Sequence, residues 1–245
     1  MKNFKWFNAL HLKIFAMLFM LCDHLWAVLI PGNIWLTHVG RLAFPLFAFQ
    51  IAEGYKHTHD LNNYIRRIFL FALISEIPFN LMHSGNIVFP FHQNVLFTFC
   101  IALFLMKWMD RAKERGTFRF IITVILGSIL GYLIAFLTMC DYFGYGVLMV
   151  ILFYLFDDSA FGWFGRIAGM IWINGYLMSG LTIPVTVWGH SFDFPQQAFA
   201  VFSLFFIFMY NGTPGKQTRT TRFICYSFYP VHMLIIFLIW SLISH

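Results

Sequence analysis

The stretch Leu12-Lys13-Ile14-Phe15-Ala16-Met17-Leu18-Phe19-Met20-Leu21-Cys22-Asp23-His24-Leu25-Trp26-Ala27-Val28 decides how the chain is read. Its apolar run has the character of a membrane-spanning helix, yet Asp23 and His24 stand side by side within it. An ionisable group in hydrocarbon costs several kcal/mol unless it is paired or wetted, and such residues mark sites by default. Lys13 precedes His24 by eleven positions. At about 100° per residue the two therefore share one helix stripe, roughly 16 Å apart along the axis. A cation near one membrane face lines up with an imidazole nearer the middle. Neutral imidazole titrates near working pH and can serve as a general base. Asp23 points about 100° away from His24, so it is read either as the group that fixes or charges the imidazole or as an ion-pair partner of Arg41.

Composition extends this reading to the whole chain. Of 245 residues, 60% are hydrophobic and 11% charged, against about 25% charged in an ordinary soluble domain. Too few charges remain to cover a water-exposed surface, so the expected fold is an all-α polytopic membrane bundle forming a single domain, 1–245. Apolar segments fall near 10–30, 34–52, 65–81, 95–109, 120–139, 145–156, 161–181, 198–209 and 228–243, giving about nine transmembrane helices. Several are shorter than the ~20 residues of an upright span and fit a half-helix or a segment buried in the bundle. Residues 1–10 and the apolar run after them resemble a signal peptide, yet no small-residue cleavage site follows and the run carries Asp23 and His24, so it is read as an uncleaved first helix.

Charge placement sets the expected topology. With the N terminus cytoplasmic in the inner membrane, Lys2, Lys5, Lys13, Lys56, Arg66, Arg67, the basic residues between 107 and 119, Arg166, Lys216, Arg219 and Arg222 all fall inside, and Arg41 alone falls outside. The positive-inside rule thus accounts for the formal net charge of +6, and no nucleic-acid partner is implied. Cys22, Cys100, Cys140 and Cys225 lack metal-ligand spacing and read as core residues, so no metal is expected.

The remaining polarity divides between the two faces. Arg41 reads either as a structural ion-pair partner or as a group that orients an acceptor or steadies charge developing on a thioester oxygen. Glu76, just before Pro78, reads as a proton acceptor or amine ligand, or as a cap for backbone groups freed by the proline. Gln93, Asn94, Asp141 and Tyr142 gather at the outer face and are candidates for acceptor binding. At the inner face Lys13, Arg66 and Arg67, with Lys216, Arg219 and Arg222, can bind phosphates, although charge anchoring alone explains such residues.

Lys13, ten intervening residues and His24 resemble the signature of acyltransferase family 3, membrane enzymes that pass an acyl group from acyl-CoA to an acceptor. Further segments resemble the TraX family: Gly40-Arg41-Leu42-Ala43-Phe44-Pro45-Leu46-Phe47-Ala48-Phe49, Leu73-Ile74-Ser75-Glu76-Ile77-Pro78-Phe79-Asn80, Gln93-Asn94-Val95-Leu96-Phe97-Thr98, Asp141-Tyr142-Phe143-Gly144-Tyr145-Gly146-Val147-Leu148 and Phe228-Tyr229-Pro230-Val231-His232. Tyr229 and His232 also resemble a Tyr-x-x-His element of acyltransferase family 3, which implies a place on the donor path. The resemblance implies a membrane acetyltransferase, because the founding family member is associated with N-terminal acetylation of conjugative pilin.

In the scheme so implied, acetyl-CoA enters from the cytoplasm. His24 deprotonates a peptide, glycan or small-molecule acceptor, Asp23, Arg41 and Glu76 assist, and the surrounding partner is the lipid bilayer. Direct transfer and a transient acyl-His are both compatible with the sequence. Two other classes stay open: a transporter or channel with a buried Asp, His, Arg and Glu path, and a non-enzymatic pilus assembly factor.

Overall fold

The computed structural model describes residues 5–178, 180–216 and 218–244; Lys2 lies outside the described residues. The described chain is mostly helical. In order it forms α1 (Ala9–Val28), α2 (Ile34–Gly40), α3 (Ala43–His57), α4 (Leu61–Ser84), α5 (Val95–Lys113), α6 (Thr117–Leu137), α7 (Phe143–Leu155) and α8 (Ala160–Ile171). A π-helical turn, Trp172–Leu177, prolongs α8 into the hairpin β1 (Thr182–Val187) and β2 (His190–Pro195). A 3-10 stretch, Gln196–Phe202, then leads into α9 (Ser203–Phe208), and α10 (Arg219–Ile243) follows.

Among the described residues four helical stretches are long and apolar enough to cross a membrane: Ala9–Val28, Ile34–His57 across the α2–α3 junction, Thr117–Leu137 and Arg219–Ile243. The helix ends are set by short polar side chains. Asn8 accepts from the His11 amide, Asp60 from the Asn63 amide, Asn94 from the Leu96 amide and Thr218 from the Thr221 amide, each satisfying a donor that the first helical turn leaves over. The Thr218 cap explains why α10 begins nine residues before the apolar run at 228: its first turns, Arg219 to Arg222, are polar and invisible to hydropathy.

Other departures from the apolar-segment reading have equally local causes. The second segment is two helices, because the chain turns at Arg41 and Leu42. The seventh ends early in the π turn, and the eighth is 3-10 before it is α-helical. The hairpin departs from an all-α description. Its strands pair from Thr182↔Pro195 to Val187↔His190, and its two-residue turn holds Trp188 and Gly189 at φ 49° and 80°, the left-handed pair that a tight hairpin requires.

Packing separates a lipid-type surface from a core. On α6 the small residues Gly127, Gly131 and Ala135 are buried while Ile121, Ile125, Leu126 and Ile129 are exposed. A Cβ at Gly131 would lie 2.3 Å from a Leu105 methyl and 2.9 Å from one on Val147, so glycine there is what lets α6 settle against α5 and α7. A second apolar cluster of Phe79, Met82, Met233 and Ile236, with Leu21 and Leu25 against it, joins α4, α10 and α1. That junction takes in the turn of α1 on either side of Asp23 and His24.

Successive helices run back and forth, so the polar groups sort by end. Lys5 pairs with Asp158 and Lys107 donates to Asn62 at one end, while the Gln93–Cys140 bridge closes the other. Among the described Lys and Arg residues, only Arg41 belongs to the end that holds Gln93.

Candidate functional site

Adjacent residues on a helix point about 100° apart, and Asp23 and His24 accordingly face different neighbours. Asp23 Oδ1 receives Arg41 Nη2 at 2.6 Å and Thr37 Oγ1 at 2.9 Å. The Thr37 hydroxyl donates its single proton to Asp23 and accepts from Arg41 Nη2 at 2.8 Å, so all three groups are satisfied. Arg41 Nη1 donates to Gln197 Oε1 at 3.3 Å, Gln197 Nε2 to Asn174 Oδ1 at 3.1 Å, and Asn174 Nδ2 to the Met170 carbonyl at 3.0 Å. The chain of bonds thus runs from α1 through α2 to the π turn. A Cβ at Gly40 would meet Asp23 Cβ at 2.5 Å and Oδ1 at 2.6 Å, so glycine is required for α2 to come this close to α1.

His24 turns instead to α10. Its Nδ1 lies 2.7 Å from His232 Nε2, and His232 Nδ1 lies 2.6 Å from the Phe228 carbonyl. A carbonyl can only accept, so His232 carries its proton on Nδ1 and its Nε2 is bare. In the neutral pair, His24 Nδ1–H therefore donates to His232, which leaves the lone pair of His24 on Nε2. The sequence offers Asp23 as the partner of the imidazole and places His232 on the donor path; the structure makes His232 the partner.

His24, Asp23, Arg41, Asp141 and Tyr142 line one cavity of about 550 Å³, and His83 and His92 line it as well. Asp141 and Tyr142 are held by a turn in which Met139, Tyr142 and Phe143 adopt φ of 52°, 61° and 45°, a conformation that costs energy in non-glycine residues and collects at functional sites. Tyr142 stacks on Phe44 with ring centroids 3.9 Å apart. Asp141 Oδ1 lies 3.5 Å from His92 Nε2. This carboxylate holds His92, in the 85–94 connection, above its ordinary pKa, against the effect of partial burial.

Glu76, Gln93 and Asn94 are not brought into that wall. Glu76 Oε2 takes both the side-chain and the backbone N–H of Asn94, and Asn94 also donates to the Ala72 carbonyl, so both residues brace α4 against the start of α5. Gln93 donates to the Pro90 carbonyl and pairs its backbone with residues 139 and 141.

A second cavity, of about 530 Å³, opens toward the opposite end and is lined by Lys13, Gln50, Tyr64 and Arg222. Lys13 makes no ion pair among the described residues, and Gln50 Nε2 is buried without an acceptor among them. Arg66 and Arg67 are exposed on α4 and line neither cavity. Tyr229, Met20, Phe47 and Val95 belong to both linings, so one thin wall divides the two chambers.

The sequence reading missed His83, His92, Thr37 and Gln197. Thr37, four residues before Arg41 on one helix face, was open to detection by spacing; His83 and His92 were not, since their convergence on His24 is tertiary.

The family model described as TraX protein matches residues 9–240. The chain is 33% identical over 119 residues to the "Probable fimbrial assembly protein FimC, serogroup H1" of Dichelobacter nodosus, which covers 44% of this chain and 48% of that protein. It is 28% identical over 123 residues to "Protein TraX" of Escherichia coli, 49% of this chain and 48% of that one. The alignments thus span about half the length of these curated relatives. No solved structure matches.

Gly40→Ala forces Asp23 aside and should destabilise the protein by about 1–3 kcal/mol through overpacking, read as a lower midpoint of thermal unfolding in detergent; an unshifted midpoint would contradict the close approach. His92 should titrate above 6.5 by NMR and fall back in Asp141→Asn. Because its folded value is raised, the stability this pair adds is fully present below 6.5 and is lost as pH rises through the raised value.

Proposed function

Given that the chain belongs to the TraX family, matched over residues 9–240, we propose that it is a membrane-embedded acetyltransferase that moves an acetyl group from cytoplasmic acetyl-CoA to an amine or hydroxyl acceptor on the other side, with a pilin or peptide N terminus favoured. In this reading the chain lies in the inner membrane with its N terminus and its basic end in the cytoplasm, spans it about nine times, and is related to acyltransferase family 3. The relative named for fimbrial assembly supports a pilus-related role.

The observation that carries the reading is the pair of chambers that share Tyr229, Met20, Phe47 and Val95. One is lined by Arg222 and by Lys13, a cation with no ion pair among the described residues, which suits the phosphates of CoA. Gln50, with a donor that lacks an acceptor among the described residues, suits a carbonyl of the donor's arm. The other chamber holds a histidine whose tautomer leaves Nε2 free to accept a proton. The thioester would lie at the shared wall, where an acceptor from the far chamber can reach it.

His24 Nε2 accepts the proton of the acceptor nitrogen or oxygen as that atom bonds to the acetyl carbon; the C–S bond breaks, and the proton passes to the CoA sulfur. His232 is a positioning residue that holds the tautomer of His24. Arg41, committed to Asp23, Thr37 and Gln197, fixes the frame of the site more than it acts on the thioester. Asp141 is the chamber carboxylate that Arg41 does not hold, and it favours an amine over a neutral hydroxyl.

Purified His24→Ala should lose acetyl transfer by a factor of about a hundred or more while still binding acetyl-CoA. Lys13→Met with Arg222→Met should weaken donor binding by about tenfold or more for each phosphate hydrogen bond removed, since charge-assisted bonds are worth roughly 1.5–3 kcal/mol. Transfer by His24→Ala above the uncatalysed rate would remove His24 from the mechanism. Wild-type protein that transfers nothing from acetyl-CoA yet binds pilin would instead establish the assembly-factor reading.

A further inference from the structure

Two histidines in the acceptor chamber have no task in the transfer step. His83, at the end of α4, packs edge-on against His24 with ring centroids 6.4 Å apart. His92 packs edge-on against His83 at 5.2 Å and reaches Asp141 at 3.5 Å. The members of this row come from α1, α4, the 85–94 connection and the turn after α6, so only tertiary folding assembles it.

The hydrogen bonds give the row a direction. The Phe79 carbonyl accepts from His83 Nδ1–H at 3.2 Å, so His83 Nε2 is bare. His92 Nε2 faces Asp141 Oδ1, so once His92 has given up one proton to that side its remaining proton sits on Nε2 and its Nδ1 is bare. Each imidazole therefore offers one nitrogen able to take a proton, and the row ends at side chains that are 30% exposed on both His92 and Asp141. The His83 and His92 rings are in edge-to-face contact, and the His24 ring stands edge-on beside His83. Other charged or titratable groups facing the row are Asp23 and Arg41, His232 and Tyr229 from α10, and Glu76 from α4.

We infer that His83, His92 and Asp141 form a proton path that drains the proton an ammonium acceptor must lose before it can attack. The inference rests on the acetyl-transfer reading. An α-amine is largely protonated below about pH 8, and an ammonium nitrogen has no lone pair. The overall reaction, R–NH3+ plus acetyl-CoA giving R–NH–acetyl, CoA–SH and H+, releases one proton. His24 Nε2 takes that proton and hands it to His83 Nε2. His92, after yielding a proton to Asp141 and the adjoining solvent, takes the next one from His83 on Nδ1. His24, neutral again, accepts the second nitrogen proton as the C–N bond forms, and that one ends on the CoA sulfur.

The test is the pH–rate profile of His83→Gln and His92→Gln with a peptide α-amine as acceptor. At pH 6.5 each variant should fall by about tenfold or more, and the deficit should close by about pH 9, where the amine arrives neutral. Added imidazole should restore part of the rate at pH 6.5. With an aromatic amine, neutral throughout this range, the variants should match wild type. A deficit that is equal at every pH, or equal for both acceptors, or no deficit at all, would overturn the path. Wild type that acetylates neither amine would overturn the acetyl-transfer reading itself, a separate result. Should His83→Gln fail to bind acetyl-CoA as a check of folding, His92→Gln, on the connection between helices, carries the same comparison alone.

Discussion

The ion pair between Asp23 and Arg41 is the constraint on which the site depends. Two charges in an apolar bundle are tolerable only when each is hydrogen-bonded, and here Thr37 serves both while Gly40 removes the side chain that would keep α2 away. The pair fixes the rotation of α1. With Asp23 turned to α2, the next residue necessarily turns about 100° further, and His24 meets α10 and His232. The same frame continues through Gln197 and Asn174 into the π turn. One cost of burying charge thereby organises helices that are distant in sequence.

That frame also explains the two chambers. α1 carries Lys13 into one and His24 into the other, and Met20, between them in sequence, contributes to the shared wall. Tyr229 of α10 contributes as well, one turn before His232. A group that enters beside Lys13 and a group that enters beside Asp141 thus approach the same wall from opposite ends. For the proposed transfer this arrangement matters more than any single residue, because it brings donor and acceptor to one wall from opposite ends.

What was legible in the sequence follows from what is local. An ionisable couple in an apolar run, an arginine set apart from the other described basic residues and the sorting of those residues to one end are all one-dimensional signals, and each corresponds to a feature of the fold. The pairing of Asp23 with Arg41 was one of two readings the helix geometry allowed. Partnerships set by how separate helices and connections dock were not legible: His24 with His232, His83 against His92, and the capture of Asn94 by Glu76. Hydropathy likewise passes over a polar first turn such as that of α10 and over a hairpin whose strands, Thr182–Val187 and His190–Pro195, are mixed in polarity.

Two chambers that meet at one wall make sidedness the sharpest test of transfer across the membrane. Purified protein in sealed vesicles, with acetyl-CoA confined to one compartment and a membrane-impermeant peptide amine to the other, should form acetyl-peptide, with the product in the peptide's compartment and free CoA in the donor's. Acetylation that requires both reactants in one compartment would contradict transfer between the Lys13 and His24 chambers.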